Sequence, residues 1–156
     1  MTTSIADRLI SLGHTLPQAP APAGSYAPAV RAGNLLFIAG QINLRESKHA
    51  PVGRVGAELD VEQGQQAARM AALGVLAQIA AATNGRISAV HRVVRLGVFV
   101  ASTAEFTQHP EVANGASDLF VAVFGEAGRH VRAAVGTASL PRGAAVEVEA
   151  IVELAD

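Results

Sequence analysis

From Val146 to Leu154 the chain reads Val-Glu-Val-Glu-Ala-Ile-Val-Glu-Leu, and this alternation leaves little freedom of fold. With a period of two, Val146, Val148, Ala150, Val152 and Leu154 share one face of an extended strand. Glu147, Glu149, Ile151 and Glu153 share the other. Such a stretch has to lie in a sheet with one face covered. Ahead of it, Arg132–Ser139 is small and β-tolerant, and Leu140-Pro141-Arg142-Gly143 is turn chemistry, so a hairpin is expected. Arg132, Ala134, Gly136 and Ala138 fall on one face of its first strand. A cation beside small residues, across from a row of carboxylates, fits a pocket wall. On the residues alone, however, a half-solvated sheet with its charges outward is the favoured reading, with the pocket wall as the alternative.

The rest of the chain supplies the partners of that strand. Ser4–Leu12 has a Ser N-cap, Ile5, Leu9 and Leu12 at helical spacing, and Gly13 as a stop, which predicts a short amphipathic helix. Thr15–Gly24 is a Pro/Ala connector without a core of its own. Ser25–Ala32 and Leu35–Ile42 flank Gly33-Asn34 as a second hairpin. Leu44–Glu58 is expected to be a loop, with Lys48 and His49 at its surface. Asp60, with Gln63 three residues on, opens the main helix, which Asn84-Gly85 closes. Met70, Leu73, Ala77 and Ala80 are its expected stripe, widened by Leu76 and Ile79. Val90–Val100 is too continuously apolar for an edge strand, and Pro110–Phe124 reads as a second long helix. The order predicts an α+β fold, a mixed sheet with two main helices packed on one face. Residues 1–24 are helix and connector; residues 25–156 form one domain.

Several chemistries find no support. The five histidines stand singly without metal-ligand spacing, and there is no cysteine to act as ligand, nucleophile or disulfide partner. No glycine-rich loop sits between strand and helix, and no serine has a nearby His-acid pattern. No metal and no cofactor are expected. A net charge of −1 with dispersed basic residues argues against nucleic acid and anionic membranes as partners. Only 16% of residues are charged while half are hydrophobic, which suggests that part of the surface is covered by other subunits. The N-terminus lacks a signal pattern and no run reaches membrane-spanning length, so a cytoplasmic protein is the expectation.

Arg132, then Leu140-Pro141, then Val146-Glu147-Val148-Glu149-Ala150-Ile151 resembles the C-terminal signature of the RidA/YjgF family, the reactive imine/enamine deaminases also labelled endoribonuclease L-PSP. Gly24-Ser25-Tyr26, Gly33-Asn34 and Ala39-Gly40-Gln41 resemble further motifs of that family in the same order. The Ser4–Leu12 helix then looks like an added cover. The resemblance implies a chorismate-mutase-like fold assembled as a barrel-like homotrimer with intersubunit sites. It also implies hydrolysis of 2-imino acids or enamines to 2-oxo acids and ammonia without a cofactor, or else a trimer that binds 2-oxo acids without turnover. Carried over by position, Arg132 grips the substrate carboxylate and Glu149 positions the attacking water. Tyr26 lies over the site, and Gly40 and the Ala134 backbone approach the ligand. Asn114 matches the asparagine of the second helix. Glu147 and Glu153 are expected to be solvated face. Ala134 stands where the family often has Cys, Ala39 where it has Ser, Ser25 where it has Pro, and Pro28 where Gln is common.

Overall fold

The computed structural model describes residues 3–43 and 49–155. Eight elements follow one another: α1 (Ile5–Ser11), β1 (Ala29–Ala32), β2 (Leu35–Ile42), α2 (Val61–Thr83), β3 (Val90–Ala101), α3 (His109–Phe124), β4 (Val131–Thr137) and β5 (Val146–Leu154). This is the expected order, and the fold is α+β with a mixed sheet. Residues 44–48 of the expected loop, Lys48 among them, lie outside the described residues.

Local chemistry accounts for the helix ends. In α2 the Gln63 amide donates to Asp60 Oδ1 at 2.8 Å and the Asp60 amide to Gln63 Oε1 at 3.0 Å. Asn84 then takes a left-handed conformation (φ 52°) and stops the helix. Ser4 and Asp7 form the same reciprocal cap on α1. Ile5 and Leu9 are fully buried in the common core, and the Arg8 side chain donates to Ala122 O at 3.0 Å, so α1 is packed into the body of the protein.

The sheet runs β1-β2-β5-β3-β4, with β3 and β4 parallel and all other neighbours antiparallel. β4 and β5 are therefore not a hairpin: β3 lies between them. β4 returns from α3 alongside β3, and residues 138–145 then carry the chain across the end of β3 into the middle of the sheet. The Leu-Pro-Arg-Gly stretch does turn, as a single 3-10 turn with Arg142 at φ 57°. The whole link, however, is long enough to step over one strand, where a hairpin loop takes two to five residues. The fully buried Asn43 holds the arrival point: its Oδ1 accepts from the Ala145 amide at 3.0 Å, and its Nδ2 donates to Pro51 O at 2.8 Å.

Helices α2 and α3 cover one face of the sheet. Leu96, Val98 and Val100 of β3 and Val146, Val148 and Val152 of β5 meet Val75, Leu76 and Ile79 of α2 and Val112 and Phe120 of α3. The two helices touch at their backbones: a Cβ on Gly115 would lie 2.1 Å from Gln65 O. The buried face of α2 is broader than the expected stripe and shifted from it. Ala68, Ala71, Ala72, Val75, Leu76 and Ile79 are buried, while Met70, Leu73 and Ala80 are half-buried. A helix apolar almost all round has little periodicity from which to read its face.

Among the described residues the other sheet face has no such cover. Phe37 and Val30 from the β1-β2 side and Val131 and Val135 from β4 are exposed there, around an Arg95–Glu149 ion pair of 3.0 Å.

Candidate active site

Strand register decides which carboxylate meets which partner. β2 pairs with β5 through Ile38↔Ala150 and then Gln41↔Val148, so β2 carries one extra residue in a bulge at Ala39-Gly40. Gly40 thereby comes against the Glu147 side chain. A Cβ at this position would lie 2.0 Å from Glu147 Oε1 and 2.8 Å from its Cδ, which makes the missing side chain the condition of the approach. Tyr26 stands beside the same place, its Oη accepting from the Ala23 amide at 3.2 Å. Together Tyr26, Pro28, Gly40, Arg142 and Glu147 line a cleft of about 380 Å³, walled on one side by residues 20–23 of the connector. Gln78 pins that connector, donating to Pro20 O at 2.7 Å.

Glu147 is half-buried and has no ion-pair or hydrogen-bond partner among the described residues. Loss of hydration, and then the neighbouring Glu149 charge, push its carboxyl above the ordinary range. A carboxyl so placed keeps its proton to higher pH than an exposed glutamate and can both take and return one. Glu149 sits differently. It lies across Gly97, where a Cβ would be 2.6 Å from its Oε1, and it is tied to Arg95. The structure thus brings Tyr26 and Gly40 to Glu147, not to the Glu149 expected from the signature. In Val-Glu-Val-Glu both carboxylates share a face, and sequence cannot say which meets a bulge on another strand.

Arg132 belongs to a second cluster. It pairs with Leu96 on the helix-covered face, where three of its five N–H groups are taken by α3. Nη1 donates to Asn114 Oδ1 at 2.9 Å and to Ser117 Oγ at 3.0 Å, and Nη2 donates to Pro110 O at 3.0 Å. The Nε–H and the second Nη2–H have no partner among the described residues. These two form the side-on fork that fits a carboxylate. Ala134 follows on the same face of β4, half-buried, and Asn114 meets Arg132 as an orienting acceptor.

Within one chain the two clusters do not meet. Arg132 aligns with Leu96, and Glu147 with Phe99, an odd number of residues along β3 and hence on opposite faces. Sequence reasoning missed Glu147 and Arg142, and it also missed Ser117. Among the described residues no group of three His, Cys, Asp or Glu side chains could hold a metal ion. No helix there is long and apolar enough to cross a membrane.

This fold, with these motifs, places the chain in the RidA/YjgF family: a sequence profile described as YjgF/chorismate mutase-like, which also carries the word endoribonuclease, matches residues 6–154. Protein TCP17 of Trypanosoma cruzi is 50% identical over 151 residues, 96% of this chain and 94% of the relative. A 2-iminobutanoate/2-iminopropanoate deaminase of Dermatophagoides farinae is 30% identical over 136 residues, 87% of this chain and 91% of the relative. A crystal structure of a protein of unknown function from Agrobacterium tumefaciens superposes with a TM-score of 0.87 at 48% identity, covering 97% of this chain and 92% of that one.

Proposed function

We propose that the chain is a hydrolytic deaminase of 2-imino acids, acting at a site to which two protomers contribute. The observation that carries this reading is Glu147: a half-buried carboxyl without a partner among the described residues, raised above the ordinary range, held against Gly40 beside Tyr26. Arg132 supports it with a fork already oriented by α3 and directed at no acceptor among the described residues. The uncovered apolar sheet face supplies a surface for assembly, and the deaminase among the relatives supplies the substrate class.

The imino acid binds with its carboxylate forked by Arg132 and its reactive carbon over the Ala134 backbone of one protomer. Tyr26, Gly40 and Glu147 come from the next. Glu147 takes a proton from a water as the water oxygen bonds to the imine carbon and delivers it to the imine nitrogen, giving a carbinolamine. It then takes the carbinolamine's hydroxyl proton and passes it to the amino nitrogen as the C–N bond breaks and the C=O bond forms; ammonia leaves and the 2-oxo acid remains. Positioning and one acid/base group suffice for a reaction that is intrinsically easy. Glu149, held by Arg95, takes no part.

The test follows 2-oxo acid formation from imines generated in situ from several amino acids. Arg132→Ala should abolish most of the acceleration. Glu147→Gln should bind 2-oxobutyrate about as the wild type does, yet turn over on the order of 10²-fold more slowly. Glu149→Gln should keep most activity. Imine loss no faster than in buffer, with 2-oxobutyrate still bound at Arg132, would leave a binding protein in place of an enzyme.

A further inference from the structure

Behind Arg132 lies a pair of side chains that the proposed chemistry does not use. His130 Nδ1 is 2.7 Å from Gly128 O, and its Nε2 is 2.8 Å from Ser117 Oγ, the same oxygen that accepts from Arg132 Nη1 at 3.0 Å. Donor arithmetic fixes the protons. A carbonyl oxygen only accepts, so Nδ1 carries hydrogen. In the neutral ring Nε2 is then bare and accepts the Ser117 hydroxyl proton, which leaves a Ser117 lone pair for Arg132. We propose that Ser117 and neutral His130 are positioning residues that set the orientation of the Arg132 guanidinium.

A protonated ring breaks this order. Nε2 would donate to Ser117 Oγ, so two cations would press donors on one oxygen while the hydroxyl proton is turned away. Burial first, and then the Arg132 charge, hold the ring below its ordinary value against the opposing pull of Gly128 O. The edge of the ring packs on Phe120, centroids 6.2 Å apart. Other charges on the surrounding elements are engaged or turned outward: Glu126 and Arg129 pair with each other, Asp118 is exposed on α3, and Arg95 is bonded to Glu149 on the opposite sheet face. The neutral ring therefore holds the fork at pH 7, and only acid strong enough to protonate a ring held below its ordinary value releases it.

The inference rests on Arg132 as the carboxylate grip, and its test separates the two. In the first arm, 15N-resolved NMR of the full-length protein reads the His130 ring and Arg132 Nε against pH. The expected result is an Nδ1–H tautomer at neutral pH and an Arg132 Nε shift with the midpoint of His130, lost in Ser117→Ala and kept in Ser117→Thr. In the second, calorimetry with 2-oxobutyrate at pH 7.5 and at a pH below the His130 midpoint found in the first arm should show several-fold weaker binding at the lower pH for wild type. His130→Phe should lose that weakening at the His130 midpoint and bind less tightly than wild type at pH 7.5 by about fivefold, the scale of one modest hydrogen bond. An Arg132 signal indifferent to His130, or an unchanged pH slope in His130→Phe, overturns the proposal. If the two signals titrate together but 2-oxobutyrate binds at neither pH, the positioning role stands and the carboxylate role of Arg132 falls.

Discussion

Gly40→Ala asks most directly whether Glu147 is the working carboxylate. The glycine is not in a left-handed conformation, so alanine meets no backbone obstacle. Its methyl would, however, start 2.0 Å from Glu147 Oε1, and the carboxylate must retreat by about 1.4 Å to regain the 3.4 Å of an ordinary contact. The cost to the fold is small, since what moves is the end of a flexible side chain. Gly-to-Ala replacement also returns about 0.4–1 kcal/mol through the unfolded chain. Catalysis has no such latitude: a misplacement of about 1 Å costs on the order of 10²-fold in rate. Gly97→Ala is the matched control, because its methyl lies 2.6 Å from Glu149 Oε1 and displaces that carboxylate instead. The assay is kcat for imine hydrolysis beside a thermal melt of each variant. Expected are a near-normal melt and about 10²-fold slower turnover for Gly40→Ala, with turnover largely kept in Gly97→Ala. Wild-type turnover in Gly40→Ala refutes the assignment, and a loss confined to Gly97→Ala transfers it to Glu149.

Glu147 also leaves a mark on stability. Its folded pKa is raised above the ordinary 4.5, so between those two values the native chain holds more protons than the unfolded chain. Stability from this group is present in full below pH 4.5 and is lost as pH rises through the folded value; Glu147→Gln should flatten that slope in urea midpoints measured from pH 4 to 8. Leu9→Ala, in a fully buried site, should cost about 2–5 kcal/mol by denaturant unfolding. A cost below about 1 kcal/mol would mean that α1 is only a loose cover. Gly115→Ala drives a methyl to within 2.1 Å of Gln65 O, with backbone on both sides, and should cost at least the 1–3 kcal/mol typical of overpacking.

What sequence could read was governed by local chemistry. The Asp60–Gln63 box, the Asn84 stop, the Ser4 cap and the faces of β5 all follow from residues within four positions of one another, and all stand in the structure. The connection of β4 and β5 failed because a turn motif states that the chain reverses, not which strand it reverses onto. The insertion of β3 is a long-range fact, set by the parallel return from α3. Which carboxylate meets Gly40 and Tyr26, Glu147 or Glu149, was illegible for a related reason. It depends on one extra residue in β2, about a hundred positions away, and Ala39-Gly40 is a weak signal for a bulge until its partner strand is known.

The same register yields a last consequence, because it puts Arg132 and Glu147 on opposite faces of one sheet, on strands separated by β3. No side-chain rotation carries a guanidinium through a hydrogen-bonded sheet, so a site that uses both residues draws them from different protomers. Complementation tests this without any structure of the assembly. Arg132→Ala and Glu147→Gln are each expected to be nearly inactive. Mixed in equal amounts, unfolded and reassembled together, they should regain about one quarter of wild-type activity. In a closed ring of like subunits, a site is whole when an intact arginine from one parent meets an intact glutamate from the other, which random assembly produces at about that frequency. If both residues acted within one chain, every protomer in the mixture would still carry one lesion and no activity would return. That result, obtained with a reassembled wild type of normal turnover as control, would refute the two-protomer site whatever the oligomeric state in solution.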